Sequence, residues 1–362
     1  MIYNLQILRA VASYLVFLTH FGLYVGPVLP RPDLLAFGAS GVDVFFVLSG
    51  FIMFVSTSGR RESPGEFLLR RASRVVPVYW IVTIGLTLIA LTGLRPIGIV
   101  EIRTDYVVQS LLFLPFSRGG FIEPLNSVGW TLNYEMFFYV VFAGLLLVPK
   151  PAVRALGAAA VFLALILLGL LPASGLYWAY YTKPILIEFA AGIGLGYAYL
   201  RLGVLPAGFP ARRVAGAVVA AAVLLILGGQ VVTEALGASP ELSGFARPLV
   251  WGFAAVLIVG AMLLLERADI VLKSRWLLSQ GNASYSFYLV HNLLLHSAAK
   301  IAALVVAPGI ARAVLIFAIA FPAAVAAGEL LFRYVEAPVI AALRRRLDRR
   351  PSPGPLPAPI AS

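Results

Sequence analysis

Long apolar runs recur along the whole chain, each closed by a short polar or basic stretch. They fall at about 5–27, 40–57, 75–92, 129–148, 155–171, 184–200, 214–231, 248–265, 283–303 and 313–332. A helix rising about 1.5 Å per residue needs roughly 20 apolar residues to cross a bilayer, so the pattern predicts about ten transmembrane helices in one bundle. The fold class is therefore an all-α polytopic membrane protein. A further apolar run, VVQSLLFLPF at 107–116, is too short for a crossing and carries a proline near its end. It reads as an interfacial or re-entrant element. The loop that follows, SRGGFIEPLNSVGW, could shape an outward entrance or simply link two helices. No soluble-like block interrupts the runs, which puts one domain at 1–340. The remainder, 341–362, is basic and then proline-rich (PSPGPLPAPIAS), a composition expected of a disordered cytoplasmic tail.

Composition agrees with this reading. Of 362 residues, 61% are hydrophobic and 12% charged. The absence of cysteine excludes disulfides and thiolate chemistry, and three scattered histidines offer no zinc spacing, so no metal is expected. The net charge of +12 would suggest a nucleic-acid partner in a soluble protein. Here the basic residues concentrate at alternate connections, around Arg60–Arg74, Lys150–Arg154, Arg201–Arg213 and Arg267–Arg275, and in the tail from Arg333 on. The bias is more than twofold and predicts both termini in the cytoplasm, with anionic membrane lipid rather than nucleic acid beside the basic face. MIYNLQ lacks the basic start of a secretory signal, so the first helix is expected to be retained.

Against this background, polar groups inside apolar runs stand out. Arg9 and His20 lie on the first run, about 16 Å apart along a helix, with Arg9 near the inner interface and His20 in the outer half. A neutral imidazole needs hydrogen-bond partners and can transfer protons near neutrality. Asp43, in GVDVFFVLSGFIM, and Glu135, in WTLNYEMFFY, are both expected on the outer side, where either could orient His20. Ser49 and Gly50 read as close-packing residues. Trp130 is a candidate interfacial anchor and substrate contact, and Asn133 and Tyr134 are candidate substrate or oxyanion contacts. In FLLRRASRVVPVYW, Arg71 and Arg74 are three positions apart and can face one anionic ligand. With a helix beginning near 283, His291 lies about 12 Å in, an inner position suited to donor binding rather than to partnership with His20. His296 points to another face and receives no role. The Ala-, Leu- and Gly-rich runs of the second half read as scaffold, with Glu188 as the exception that needs a partner, a proton or water. From these residues alone, a transporter of a lipid-linked or polysaccharide substrate and a membrane-embedded transferase both remain open.

In order along the chain, Arg9-x10-His20, GVDVFFVLSGF, Arg71-x-x-Arg74 followed by VVPVYW, WTLNYEMFFY, SYSFYLVH and a closing FRYVEAPV resemble the marks of the integral-membrane acyltransferase 3 family, over residues 4 to about 338. The overall look is similar to that of bacterial exopolysaccharide O-acetyltransferases. The resemblance implies transfer of an acyl group, commonly acetyl from acetyl-CoA, to a hydroxyl of a polysaccharide or lipid-linked oligosaccharide at the bacterial inner membrane. It implies His20 as the catalytic histidine, Arg9, Arg71 and Arg74 as essential basic positions, and Glu135 as the acidic one. His20 would then act by direct base catalysis or through an acyl-histidine relay, with cytoplasmic acyl-CoA bound by the arginines and His291. A homodimer is compatible with the sequence but not required by it.

Overall fold

The computed structural model describes residues 2–26, 32–59, 62–94, 96, 102–118, 120–172, 174–203, 205–235 and 244–348. The proline-rich tail expected at 351–362 lies outside the described residues, as do Arg60, Arg61, Arg349 and Arg350 of the charge pattern.

Every apolar run corresponds to a helix. The helices are α1 (Tyr3–Val25), α2 (Ser40–Thr57), α3 (Pro64–Leu91), the short α4 (Thr104–Leu111), α5 (Trp130–Leu145), α6 (Pro151–Leu168), the short α7 (Leu176–Tyr181), α8 (Ile187–Arg201), α9 (Ala211–Ala235), α10 (Phe253–Arg267), α11 (Arg275–Val305), α12 (Ile310–Leu331) and α13 (Ala337–Asp348). A two-residue hairpin, β1 (Ser117–Arg118) and β2 (Phe121–Ile122), interrupts the loop before α5. Among the described residues, eight helices are long and apolar enough to cross a membrane. The other two expected crossings form α5, with 16 residues, and α8, with 15. The apolar run at 107–116 forms the single short helix α4 and a turn, in keeping with its length. Residue 340, expected as the domain boundary, falls inside α13, where no glycine or proline stands between Pro338 in the first turn and Pro351.

Helix starts explain the main differences from the expected ranges. Ser63 and Glu66 form a capping box and Pro64 occupies the first turn, so α3 begins 11 residues before the apolar run and carries Arg70, Arg71 and Arg74 within it. Ser274 caps α11 by accepting from the Leu277 amide, so that helix also starts eight residues early. The start of α1 has no cap of its own. Instead the Glu266 carboxylate, at the end of α10, accepts from the amides of Tyr3 and Asn4 at 2.9 and 3.0 Å.

α1 packs between α11 and α2, α2 between α1 and α8, and α12 covers α11. Small residues make these contacts close. A Cβ at Gly281 of α11 would run into the Gln6 carbonyl of α1, and one at Gly192 of α8 into the Val47 carbonyl of α2. Contacts that advance in step, Gln6 with Gly281, Tyr14 with Phe287 and His20 with His291, set α1 and α11 side by side in the same direction, which decides the geometry of the two histidines.

Candidate active site

His20 and His291 meet across the α1–α11 contact. His20 is 17 residues into α1 and His291 is 16 residues into α11, depths of about 26 and 24 Å in two parallel helices. Their rings approach with His291 Nε2 3.0 Å from His20 Nδ1. His291 was expected at an inner position apart from His20. The eight-residue earlier start of α11 carries it about 12 Å deeper and overturns that expectation.

The hydrogen bonds assign both tautomers. His291 Nδ1 lies 2.7 Å from the Tyr288 carbonyl oxygen, which only accepts, so this nitrogen carries the proton and Nε2 offers a lone pair. His20 Nδ1 must then donate, towards His291 Nε2 and also towards the Val16 carbonyl at 3.0 Å. His20 Nε2 is left with a free lone pair, the form a base or nucleophile requires. Phe287 stacks on His291, with ring centroids 5.8 Å apart, and supports the plane of that ring.

Neither carboxylate expected to orient His20 does so among the described residues. Asp43 is fully buried and pairs with Arg247, Oδ1 accepting from Nε at 3.1 Å and Oδ2 from Nη2 at 2.9 Å. Arg247 is held between Trp130 and Trp251, its guanidinium carbon 5.8 and 5.4 Å from their ring centroids. Glu188 adjoins the pair, fully buried with its carboxyl group beside Asp43.

Glu135 belongs to a second group. It lines a cavity with about 790 Å³ of empty space, counting its open mouth, together with Arg9, Arg71, Arg74, Ser49 and Tyr139. Ser49 Oγ donates to Glu135 Oε1 at 3.0 Å and the Tyr139 hydroxyl donates to the same oxygen. Ser49 is thus a polar lining residue rather than a packing one, whereas Gly50 does pack, facing the Phe189 carbonyl of α8. Arg9, only 8% exposed, comes from α1, and Arg71 and Arg74 come from α3. Arg71 Nη2 donates to Ser56 Oγ at 2.9 Å, while its Nε is buried without a partner among the described residues. Among the described residues no hydrogen bond or ion pair commits the guanidinium of Arg9 or of Arg74, so up to ten N–H donors remain for a ligand. Uncommitted, partly dehydrated guanidinium groups suit phosphate oxygens. Tyr288 also lines the cavity, and its carbonyl holds His291, so one turn of α11 joins the arginine group to the histidine pair.

Asn133 and Tyr134, expected as substrate contacts, turn away from the cavity. α5 presents Thr131, Leu132, Glu135 and Tyr139 to it, and the residues between face the opposite side. Tyr134 stacks on Tyr180, centroids 4.4 Å apart, and donates to the Tyr180 carbonyl at 2.8 Å. Asn133 is buried beside Tyr180. Trp130 stacks on Arg247 as described, and His296 lies against Tyr24, 5.9 Å between ring centroids.

Comparison with known proteins gives this geometry its context. The acyltransferase domain model of the acyltransferase 3 family matches residues 2–329. The chain is 38% identical over 270 residues to the exopolysaccharide production protein ExoZ of Rhizobium meliloti (strain 1021), covering 73% of this chain and 78% of that protein. It is 28% identical over 286 residues to the acyltransferase MdmB of Streptomyces mycarofaciens, covering 71% and 68%. It is also 30% identical over 162 residues to nodulation protein 10 of Rhizobium leguminosarum bv. viciae, covering 40% and 44%. No solved structure matches the chain. The chain belongs to the acyltransferase 3 family and is a multi-pass membrane acyltransferase, a family that implies an acyl-CoA donor.

Proposed function

We propose that the protein transfers acetyl from acetyl-CoA to a hydroxyl of an exported polysaccharide or its lipid-linked precursor, with His20 as the catalytic residue. The carrying observation is the pinned histidine pair, which leaves His20 Nε2 unprotonated and sets its partner His291 one helical turn from Tyr288, a lining residue of the cavity that holds three arginines. The link to polysaccharide rests on the likeness to the exopolysaccharide production protein. The excess of basic residues at alternate connections favours both termini on the cytoplasmic side of the bacterial inner membrane, with the arginines reached from the cytoplasm and His20 from the other half.

Arg9, Arg71 and Arg74 would hold the phosphates of the donor, and the unpaired Nε of Arg71 fits that role. His20 Nε2 would take the proton of the acceptor hydroxyl as its oxygen bonds to the acyl carbon. As the carbon–sulfur bond breaks, the imidazolium returns that proton to the departing thiolate, so the imidazole is regenerated. His291 acts as a positioning residue, accepting from His20 Nδ1–H and so stabilising the cationic ring. The same Nε2 lone pair could instead attack the acyl carbon in a relay.

The test is product mass spectrometry with isotopically labelled acetyl-CoA and candidate polymers or lipid-linked sugars. The expected result is label in an O-acetyl ester with the wild type and none with His20→Ala of equal monodispersity. Acetylation by folded His20→Ala at the wild-type rate would overturn the assignment. Label retained on His20 in the absence of acceptor would select the relay over direct attack.

A further inference from the structure

The last long helix does not run evenly to its end. At Phe332–Glu336 it widens into a π-turn between α12 and α13, a local irregularity that often marks a working site. The turn delivers Glu336 into the bundle, where the residue is 2% exposed. Ser286 of α11 donates to its Oε2 at 2.7 Å. Ser286 lies one turn before the His291-bearing stretch and two positions before Tyr288, which lines the cavity. The π-turn packs against α3, which carries Arg74, and against α11, so this seat puts the Glu336 carboxylate in electrostatic reach of Arg74 and Arg9. It forms no ion pair with either among the described residues.

That combination is unusual. Buried guanidinium groups require counter-charge, and the simplest solution is a direct pair like that of Arg247 and Asp43. Around the cavity the compensation comes from two carboxylates held off the guanidinium groups of Arg9 and Arg74. Glu135 is held by Ser49 and Tyr139 on one side, and Glu336 by Ser286 on the other. Such an arrangement stabilises the empty cavity through the field of the carboxylates while leaving the N–H donors of both arginines uncommitted.

We propose that Glu336, tethered by Ser286, is a positioning residue that acts through Arg9 and Arg74 to set the affinity of the cavity for a polyanionic ligand. The ligand class is a nucleotide thioester and its free thiol product, so the inference rests on the donor reading given above. In the empty enzyme Glu336 neutralises part of the arginine charge. In the complex its charge opposes the ligand phosphates and limits how tightly the product is held.

The signs follow directly. Glu336→Gln keeps the hydrogen bond from Ser286 but removes the charge, so the empty state loses compensation and the complex loses repulsion. CoA should bind about tenfold more tightly, on the order expected of one unit charge at partial burial, and kcat should fall with KM as release slows. Ser286→Ala should act in the opposite direction. Freed from its tether, the Glu336 carboxylate can close onto Arg9 and Arg74 and compete with the phosphates, raising the Kd for CoA. In the double variant the serine effect should vanish, because it works only through the charge at 336.

The experiment is calorimetric titration of CoA into the purified full-length wild type and the three variants. Tighter binding by Glu336→Gln, weaker binding by Ser286→Ala, and a double variant equal to Glu336→Gln would support the proposal. Equal or weaker binding by folded Glu336→Gln would overturn it, as would a serine effect that persists in the double variant. Should Glu336→Gln fail to fold, Ser286→Ala decides alone, unchanged or tighter binding overturning the proposal. Absence of CoA binding by the wild type would instead remove the donor reading, and this inference with it.

Discussion

Two arginine environments in this bundle are opposites. Arg247 has its charge answered in full: two hydrogen bonds to Asp43, one to the Ala39 carbonyl at 3.3 Å, and a tryptophan ring on either side. Arg9 is buried and Arg74 half-buried among helices, yet neither commits an N–H among the described residues, and both open onto a cavity. Burying charge in a bilayer is costly, so each solution needs its own reason. The Arg247–Asp43 pair ties the π-turn before α10 to the first turn of α2 and reads as architecture. The open arginines are supported by carboxylates placed near but not on them, which keeps their donors available and reads as function.

The comparison breaks first at Arg247. Its truncation leaves Asp43 buried without its counter-ion, and Arg247→Ala should destabilise the protein by about 3–5 kcal/mol. A thermal melt of the detergent-solubilised protein would reveal the loss, and a wild-type melting temperature would remove the architectural assignment. Arg74→Ala should do the reverse. Its melting temperature should stay near that of the wild type while kcat/KM for the acyl donor falls on the order of 100-fold, as expected for lost charged hydrogen bonds to a ligand. A smaller effect is expected of the double variant Asp43→Asn with Arg247→Met. Replacing both charges at once should recover most of the stability lost by Arg247→Ala alone, since a buried pair is often worth little more than an apolar replacement. Smallest of all is Arg103→Ala. Arg103 pairs with Asp105 at 2.9 Å in full view of solvent, and neither melting temperature nor activity should change measurably.

The contrast was only half legible in the sequence. Arg9, Arg71, Arg74 and Glu135 could be singled out because charge within an apolar run is conspicuous, and the structure brings all four to one cavity. The partner of Asp43 could not be found this way, because Arg247 is 204 positions distant and sits among loop residues that carry no periodicity. The histidine pair was missed for a more local reason. Polar residues in SQGN cut the opening RWLL of α11 off from its long apolar run, and an error of eight residues in the start of a helix moves every later side chain by about 12 Å. Asn133 and Tyr134 were misread because polarity alone does not say which face of α5 meets the cavity. That face is fixed by packing against α2 and α3. Glu336 depends on a π-turn, whose extra residue shifts the helical register in a way no 3.6-residue pattern anticipates.

The central claim is a division of labour, with the arginines binding the donor and His20 Nε2 carrying out the transfer. It is tested most directly by measuring labelled acyl-CoA binding and acceptor-dependent CoA release on the same preparations of wild type, Arg74→Ala and His20→Ala. The account predicts that His20→Ala binds donor as the wild type does but releases no CoA, whereas Arg74→Ala loses binding at wild-type donor concentrations. Donor-dependent turnover by His20→Ala, or undiminished donor binding by Arg74→Ala, would contradict it.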